Sequence, residues 1–213
     1  MIIDERLVTY INSLDTGNTE ILDTIEKEAL DTYVPIIRKE MQGFLKLLLA
    51  MKRPARILEV GTAVGFSAIL MAEYDPVECE ITTIENYEKR IPIARENFKR
   101  AGKEHQITLL EGEATEILKE LTKPYDFIFM DAAKGQYIHF MPDILRLLKP
   151  EGLLVSDNVL QDGDIIESHF IVTRRNRTIH KRMREYLYAL THSEELVTTV
   201  LPIGDGVTVS VRK

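Results

Sequence analysis

Two polar constellations in this chain stand where apolar runs stop. The run 127–130 ends at Asp131, with Lys134 three positions on, and the run 153–155 leads through Ser156 into Asp157-Asn158. If both runs are neighbouring parallel strands, two carboxylates and an amide open onto the same sheet edge. Oxygen donors of that kind, completed by water and substrate, suit a hard cation such as Mg²⁺. A strand-end Asp or an Asp-Asn pair is common alone; both at adjacent strand ends point to a metal. The single Cys79 and five histidines (His105, His139, His169, His180, His192) show no spacing that would prefer zinc. A cation on a hydroxyl lowers its pKa and fixes its direction, and Lys134 is placed to take or steady the proton.

The second constellation begins at Glu59-Val60-Gly61-Thr62-Ala63-Val64-Gly65-Phe66-Ser67, where another apolar run meets a glycine turn and a helix. Such a turn lets a ligand approach the backbone and the helix N-terminus. Its spacing is G-x-x-x-G, not the G-x-G-x-x-G of dinucleotide sites. Glu59, just before the turn, would repel a pyrophosphate and suits the ammonium or sulfonium end of S-adenosylmethionine. Glu85 ends the next run about 20 residues after Gly65, the distance at which a carboxylate reaches ribose hydroxyls. Glu113 and Ala114, after the third run, are placed to flank an adenine. Together these parts imply transfer of a methyl group to an oxygen, in line with the departing sulfur.

The elements that must position these residues alternate. Short apolar runs at 57–60, 81–84, 107–110, 127–130 and 153–155 are separated by helical stretches at 67–73, 88–101, 115–121 and 137–148. Runs lacking in/out alternation suit strands buried on both faces, and the alternation predicts an α/β, doubly wound parallel sheet. A helix at 179–190 follows, then two β-rich runs, 196–203 and 207–211, joined by Gly204-Asp205-Gly206 as an antiparallel hairpin. The first 54 residues read as helices: Val8, Ile11 and Leu14 share one spacing, Ile21, Ile25 and Ala29 another. A third helix starts at Pro35 and ends before Pro54. These helices are expected to pack on the sheet, or to mediate dimerisation or cap the pocket, giving one domain over 1–213.

The 213 residues, 45% hydrophobic, suffice for one sizeable core. A net charge of -7 excludes a polycation, so any nucleic-acid contact must use a local patch. No signal peptide, no spanning segment and one cysteine suggest a cytoplasmic protein with no membrane partner.

On these motifs the chain resembles the metal-dependent catechol and caffeoyl-CoA O-methyltransferases. The likeness runs from about Pro35 to the C-terminus and is carried by 57–62 with Gly65-Phe66-Ser67, Met130-Asp131 with Lys134, Asp157-Asn158, and 201–207. The resemblance implies a Rossmann-like methyltransferase fold with a seven-stranded sheet whose last strand is antiparallel, often as a homodimer. It implies that Met41, Gly61, Ser67, Glu85, Ala114 and Asp131 line the S-adenosylmethionine. It also implies that Asp131, Asp157 and Asn158 hold Mg²⁺ or another hard divalent cation, with Lys134 catalytic. Ala63 stands where many methyltransferase turns have glycine.

A departure lies after the Asp-Asn pair. Instead of the aromatic residues of a flat phenolic pocket, the chain has Arg174, Arg175, Arg177, Lys181, Arg182 and Arg184, six basic residues with no acidic one between 174 and 184. Such a cluster is a phosphate-contacting patch or a solvated helix face. With it, the chain looks like the bacterial tRNA 5-hydroxyuridine methyltransferases of this family, which make 5-methoxyuridine at the wobble position of the anticodon loop. Their substrate carries a hydroxyl beside a carbonyl oxygen, which can chelate a cation as a catechol does. A small catechol-like acceptor is the alternative. A non-catalytic nucleic-acid-binding module is opposed by the intact acidic set, and a nicotinamide oxidoreductase by the turn spacing and Glu59.

Overall fold

The computed structural model describes residues 3–168 and 170–213; Met1 and Ile2, which open the N-terminal reading, and His169 lie outside it. Five parallel strands form most of one sheet: β1 (Arg56–Val60), β2 (Glu80–Glu85), β3 (Ile107–Glu111), β4 (Tyr125–Met130) and β5 (Leu148–Ser156). The C-terminal hairpin adds β6 (Leu196–Leu201) and β7 (Val207–Arg212), in the order β3-β2-β1-β4-β5-β7-β6. β7 runs antiparallel to both β5 and β6. The seven-stranded sheet with an antiparallel last strand is therefore as the family resemblance implied.

Alternate residues of each strand feed two cores. Ile57, Ile81, Phe127, Phe129 and Val155 pack with α2 (Glu20–Asp31), α3 (Lys39–Lys52), α4 (Phe66–Tyr74) and α5 (Ile91–Arg100). Leu58, Val60, Ile128, Met130 and Leu154 pack with α6 (Ala114–Glu120), α7 (Tyr137–Leu147) and α8 (Arg177–Thr191). Strands apolar on both sides must be covered on both sides, which explains the unbroken hydrophobic runs.

Two N-terminal expectations change. α3 begins at Lys39, not Pro35. Proline fixes only its own φ; here 35–38 runs as a strap along the cavity described below, with Ile37 in the core and its carbonyl accepting a bond from Gln42 Nε2 at 3.1 Å. α1 (Glu5–Ser13) buries no residue, and Leu7, Tyr10, Ile11 and Leu14 are exposed, whereas α2 and α3 contribute to the core. α3 stops at Arg53, whose left-handed φ of 50° precedes Pro54.

The strand order reverses between β1 and β4, and parallel α/β sheets bind ligands beyond the carboxyl ends of strands at such a point. Backbone bonds extend the ladder there: Gly61 N–H to Ile84 O (3.1 Å), Asp131 N–H to Val60 O (3.0 Å) and Asp157 N–H to Met130 O (2.9 Å).

Candidate active site

The strand tips open into a cavity of about 660 Å³. Met41, Gly61, Ser67, Glu85, Glu113, Ala114, Asp131, Lys134, Asp157 and Asn158 all line it. Gly61 brings the first turn against the second. Its φ is 104°, and a Cβ would stand 2.0 Å from the Asp131 carbonyl oxygen, so only glycine fits. Ala63 is left-handed as well, with φ 47°. Its N–H donates to Glu85 Oε2 at 2.8 Å, while the N–H groups of Asn86 and Tyr87 donate to Oε1 at 3.0 and 2.9 Å. Three of the roughly four acceptor positions of a carboxylate are thus taken by backbone, which holds Glu85 rigid and leaves room for one further donor.

Glu59 is placed differently from the expectation that it faces a ligand's positive end. It is fully buried and absent from the cavity wall. The Ser67 and Thr83 hydroxyls each donate to it at 2.5 Å. Burial pushes its carboxyl up to about 8, against the pull of the two hydroxyls and with a further push from Asp131 and Glu85. What Glu59 does is hold Ser67, which itself lines the cavity.

At the other side of the cavity, Asp131, Asp157 and Asn158 meet. Asn158 Nδ2 donates to Asp131 Oδ1 at 2.9 Å, which spends the amide nitrogen and leaves its carbonyl oxygen as a donor atom. The Asn158 backbone is left-handed (φ 62°), a conformation Asn tolerates, and its N–H caps Asp157 Oδ1 at 2.7 Å. Both carboxyls are raised well above the usual range. Burial is the main cause for each, the Asp131 charge adds to it at Asp157, and Lys134 and Asn158 oppose it at Asp131. Asp157 is buried and Asp131 half-buried, and two neighbouring acids that repel each other form a site that a cation would relieve. Among the described residues no group of three His, Cys, Asp or Glu side chains could hold a metal; the set here is two carboxylates and an amide, and its oxygens fit a hard cation.

Lys134 sits in a 3₁₀ turn, Lys134–Gln136, and its Nζ donates to Asp205 Oδ2 at 2.8 Å. Asp205 is a cavity-lining residue that motif reasoning passed over as part of a turn. The Tyr137 hydroxyl was also missed. It is buried, accepts from Ala132 N–H (3.2 Å) and faces the carbonyl oxygens of Met130 (3.2 Å) and Asp157 (3.1 Å).

None of the six basic residues lines this cavity. Arg174, Arg175, Lys181 and Arg184 are exposed. Arg177 donates to the carbonyls of Val172 (3.2 Å) and Phe170 (3.3 Å), and Arg184 to that of Ile165 (3.4 Å). Arg182 donates to Gly135 O at 3.1 Å, beside Lys134. Part of the cluster therefore ties α8 to neighbouring loops. Of the histidines, His105 and His192 are exposed and His180 is buried, with no shared ligand position among those described. No helix among the described residues is long and apolar enough to cross a membrane.

A sequence profile described as O-methyltransferase matches residues 12–213. A catechol O-methyltransferase of Niastella koreensis is 37% identical over 173 residues, covering 78% of each chain. A caffeoyl-CoA O-methyltransferase of Medicago sativa is 31% identical over 180 residues, covering 79% of this chain and 71% of that one. A crystal structure from Staphylococcus aureus, described as a putative caffeoyl-CoA O-methyltransferase, superposes with a TM-score of 0.90 at 31% identity, covering 99% and 100%. The O-methyltransferase TomG of Streptomyces achromogenes, solved with S-adenosylmethionine, gives 0.85 at 25% identity, covering 100% of both. The fold, the convergent strand tips and the match over nearly the whole chain give one conclusion: this protein belongs to the O-methyltransferase family.

Proposed function

We propose that this chain is an S-adenosylmethionine-dependent O-methyltransferase acting on a hydroxyl next to a second oxygen on a planar ring. The observation that carries the reading is one cavity walled on one side by the Gly61 turn, Ser67 and Glu85, and on the other by Asp131, Asp157, Asn158 and Lys134. Its charged lining is five acids (Glu85, Glu113, Asp131, Asp157, Asp205) against three bases (Arg38, Arg90, Lys134), a balance that favours cationic ligands such as a sulfonium and a divalent metal.

Asp131, Asp157 and the Asn158 amide oxygen would hold the metal. When bound, it lowers the acceptor hydroxyl's pKa and fixes adjacent oxygens in direction. Glu85 accepts a ribose hydroxyl on its one open position, Ser67 is held by Glu59 toward the amino-acid end, and Met41 and Ala114 supply apolar walls. Lys134 would take the proton that the reacting hydroxyl loses as the methyl passes from the sulfur to that oxygen. These groups act mostly by placing the oxygen and excluding water.

The acceptor we favour is a small catechol-like molecule, supported by the named activity of the Niastella koreensis relative. The test is methyl transfer from S-adenosylmethionine, with Mg²⁺, to 3,4-dihydroxybenzoate and to its monohydroxy analogues. Methylation of the dihydroxy compound alone supports the reading; equal methylation of all would remove the need for paired oxygens.

A second reading, methylation of 5-hydroxyuridine at the tRNA wobble position, is favoured by one observation. Exposed Arg174 and Arg175 lead into α8, whose Arg182 reaches Gly135 on the Lys134 turn. Nucleoside mass spectrometry of hydroxyuridine-containing tRNA after incubation separates the two acceptors. Reversing both charges (R174E, R175E) should then abolish transfer to tRNA and spare transfer to the catechol.

A further inference from the structure

We propose that Asp205 is the positioning residue for Lys134, aiming its amine into the cavity beside Asp131 and Asp157; this rests on the methyl-transfer reading above. The two residues are brought together only by the fold. Lys134 follows β4, whereas Asp205 sits in the turn joining β6 and β7, and Nζ lies 2.8 Å from Oδ2.

The Asp205 side chain is 3% exposed and is fixed from several directions. Asp162 N–H donates to its Oδ1. Leu160 N–H donates to its carbonyl oxygen at 2.9 Å, and Val159 N–H donates to that of Gly206 at 2.9 Å. The hairpin turn is thus docked on the segment that directly follows Asp157-Asn158. Gly206 is required for that docking, because a Cβ there would stand 2.2 Å from Leu160 Cγ.

The segment donating to Asp205 is itself held in an uncommon conformation. Gln161, Asp162 and Gly163 are consecutive left-handed residues, with φ of 53°, 51° and 101°. Two of the three are not glycine, and such backbone persists only where its surroundings over-determine it. Here it turns the Asp162 N–H onto Asp205. The Asp162 carboxylate in turn receives Arg38 Nη2 at 3.1 Å, which ties the 35–38 strap into the same arrangement.

Lys134 is a long side chain, 34% exposed, in a turn of three residues. An unheld lysine samples many rotamers. With Asp205 in place its amine has one position on the cavity wall. Without Asp205 the amine would be left with the Asp131 and Asp157 carboxylates, which line the same cavity and are proposed to take the cation, so it would compete for that site.

The test is a double-mutant cycle of D205N and K134M, read by methyl transfer to 3,4-dihydroxybenzoate and by crystal structures. D205N should lower kcat by about 10²-fold, the size of effect that a misplacement near 1 Å causes, with KM little changed. In the K134M background the same substitution should change kcat less than about twofold, because its partner is already gone. An equal loss in both backgrounds, or no loss in either, overturns the proposal. Should D205N fold poorly, D205E keeps the charge while moving it by a methylene, and must show the same dependence on Lys134. The D205N crystal structure adds a readout independent of turnover: a displaced Lys134 amine supports the proposal, and an unmoved one overturns it. A wild-type protein that methylates no acceptor would refute the proposed function alone, with the crystallographic comparison still deciding the role of Asp205.

Discussion

The Tyr137 hydroxyl lies 3.1 Å from the Asp157 backbone oxygen and 3.2 Å from both Met130 O and Ala132 N. One buried phenol on α7 therefore ties the tips of β4 and β5, the two strands that present Asp131 and Asp157. Tyr137→Phe leaves the Ala132 N–H without its acceptor. The expected cost is about 1–3 kcal/mol, measured by denaturant unfolding, with a fall in methyl transfer larger than any change in KM. Unchanged turnover would show that the two tips keep their spacing without the phenol.

Glu59 should leave a mark on stability as a function of pH. Its folded carboxyl is raised to about 8 from an ordinary value of 4.5. Between those values the folded state binds a proton that the unfolded state has lost, so this group's contribution falls as pH climbs from about 4.5 to 8. Glu59→Gln cannot titrate. The stability of the variant relative to the wild type should therefore rise across that window, by an amount on the order of a few kcal/mol. Unfolding both proteins at pH 5, 6, 7 and 8 checks this, and parallel curves would contradict it.

Asp157 sets function against stability. Burial and the neighbouring Asp131 both disfavour its charge. Asp157→Asn removes that repulsion and should raise the melting temperature in chelator by a few degrees, while turnover falls at least about 10²-fold. A variant that is both less stable and fully active would overturn this view of the site.

Gly61→Ala tests the close approach of the first turn to the second. The added Cβ meets the Asp131 carbonyl at 2.0 Å, in a backbone conformation that alanine resists. The expected loss is about 3 kcal/mol or more, at the upper end of single substitutions, with little soluble protein recovered.

Much of this was legible because chemistry and element boundaries coincide. Glu85, Asp131 and Asp157 follow apolar runs, and a parallel sheet puts such positions on one edge. Glu59 lies inside its run rather than after it, and its side chain goes elsewhere. It pairs with Thr83 and Phe129 one residue before the tip, and a shift of one residue sends a side chain to the other face. No local pattern marked Asp205, since its partner Lys134 is 71 residues away. The basic run read as one patch because its shared charge was visible and its carbonyl partners on separate loops were not. Pro35 suggested a helix start, but the strap it opens is shaped by Gln42 and the cavity.

On the proposed function, Asp131, Asp157 and Asn158 seat a divalent cation in the cavity at the strand tips. Calorimetric titration of Mg²⁺ into the wild type and into Asp157→Asn, each saturated with S-adenosylhomocysteine, tests it most directly. One site in the wild type that vanishes in the variant is the expected result. Equal Mg²⁺ affinity in both proteins, or none in the wild type, would contradict the claim.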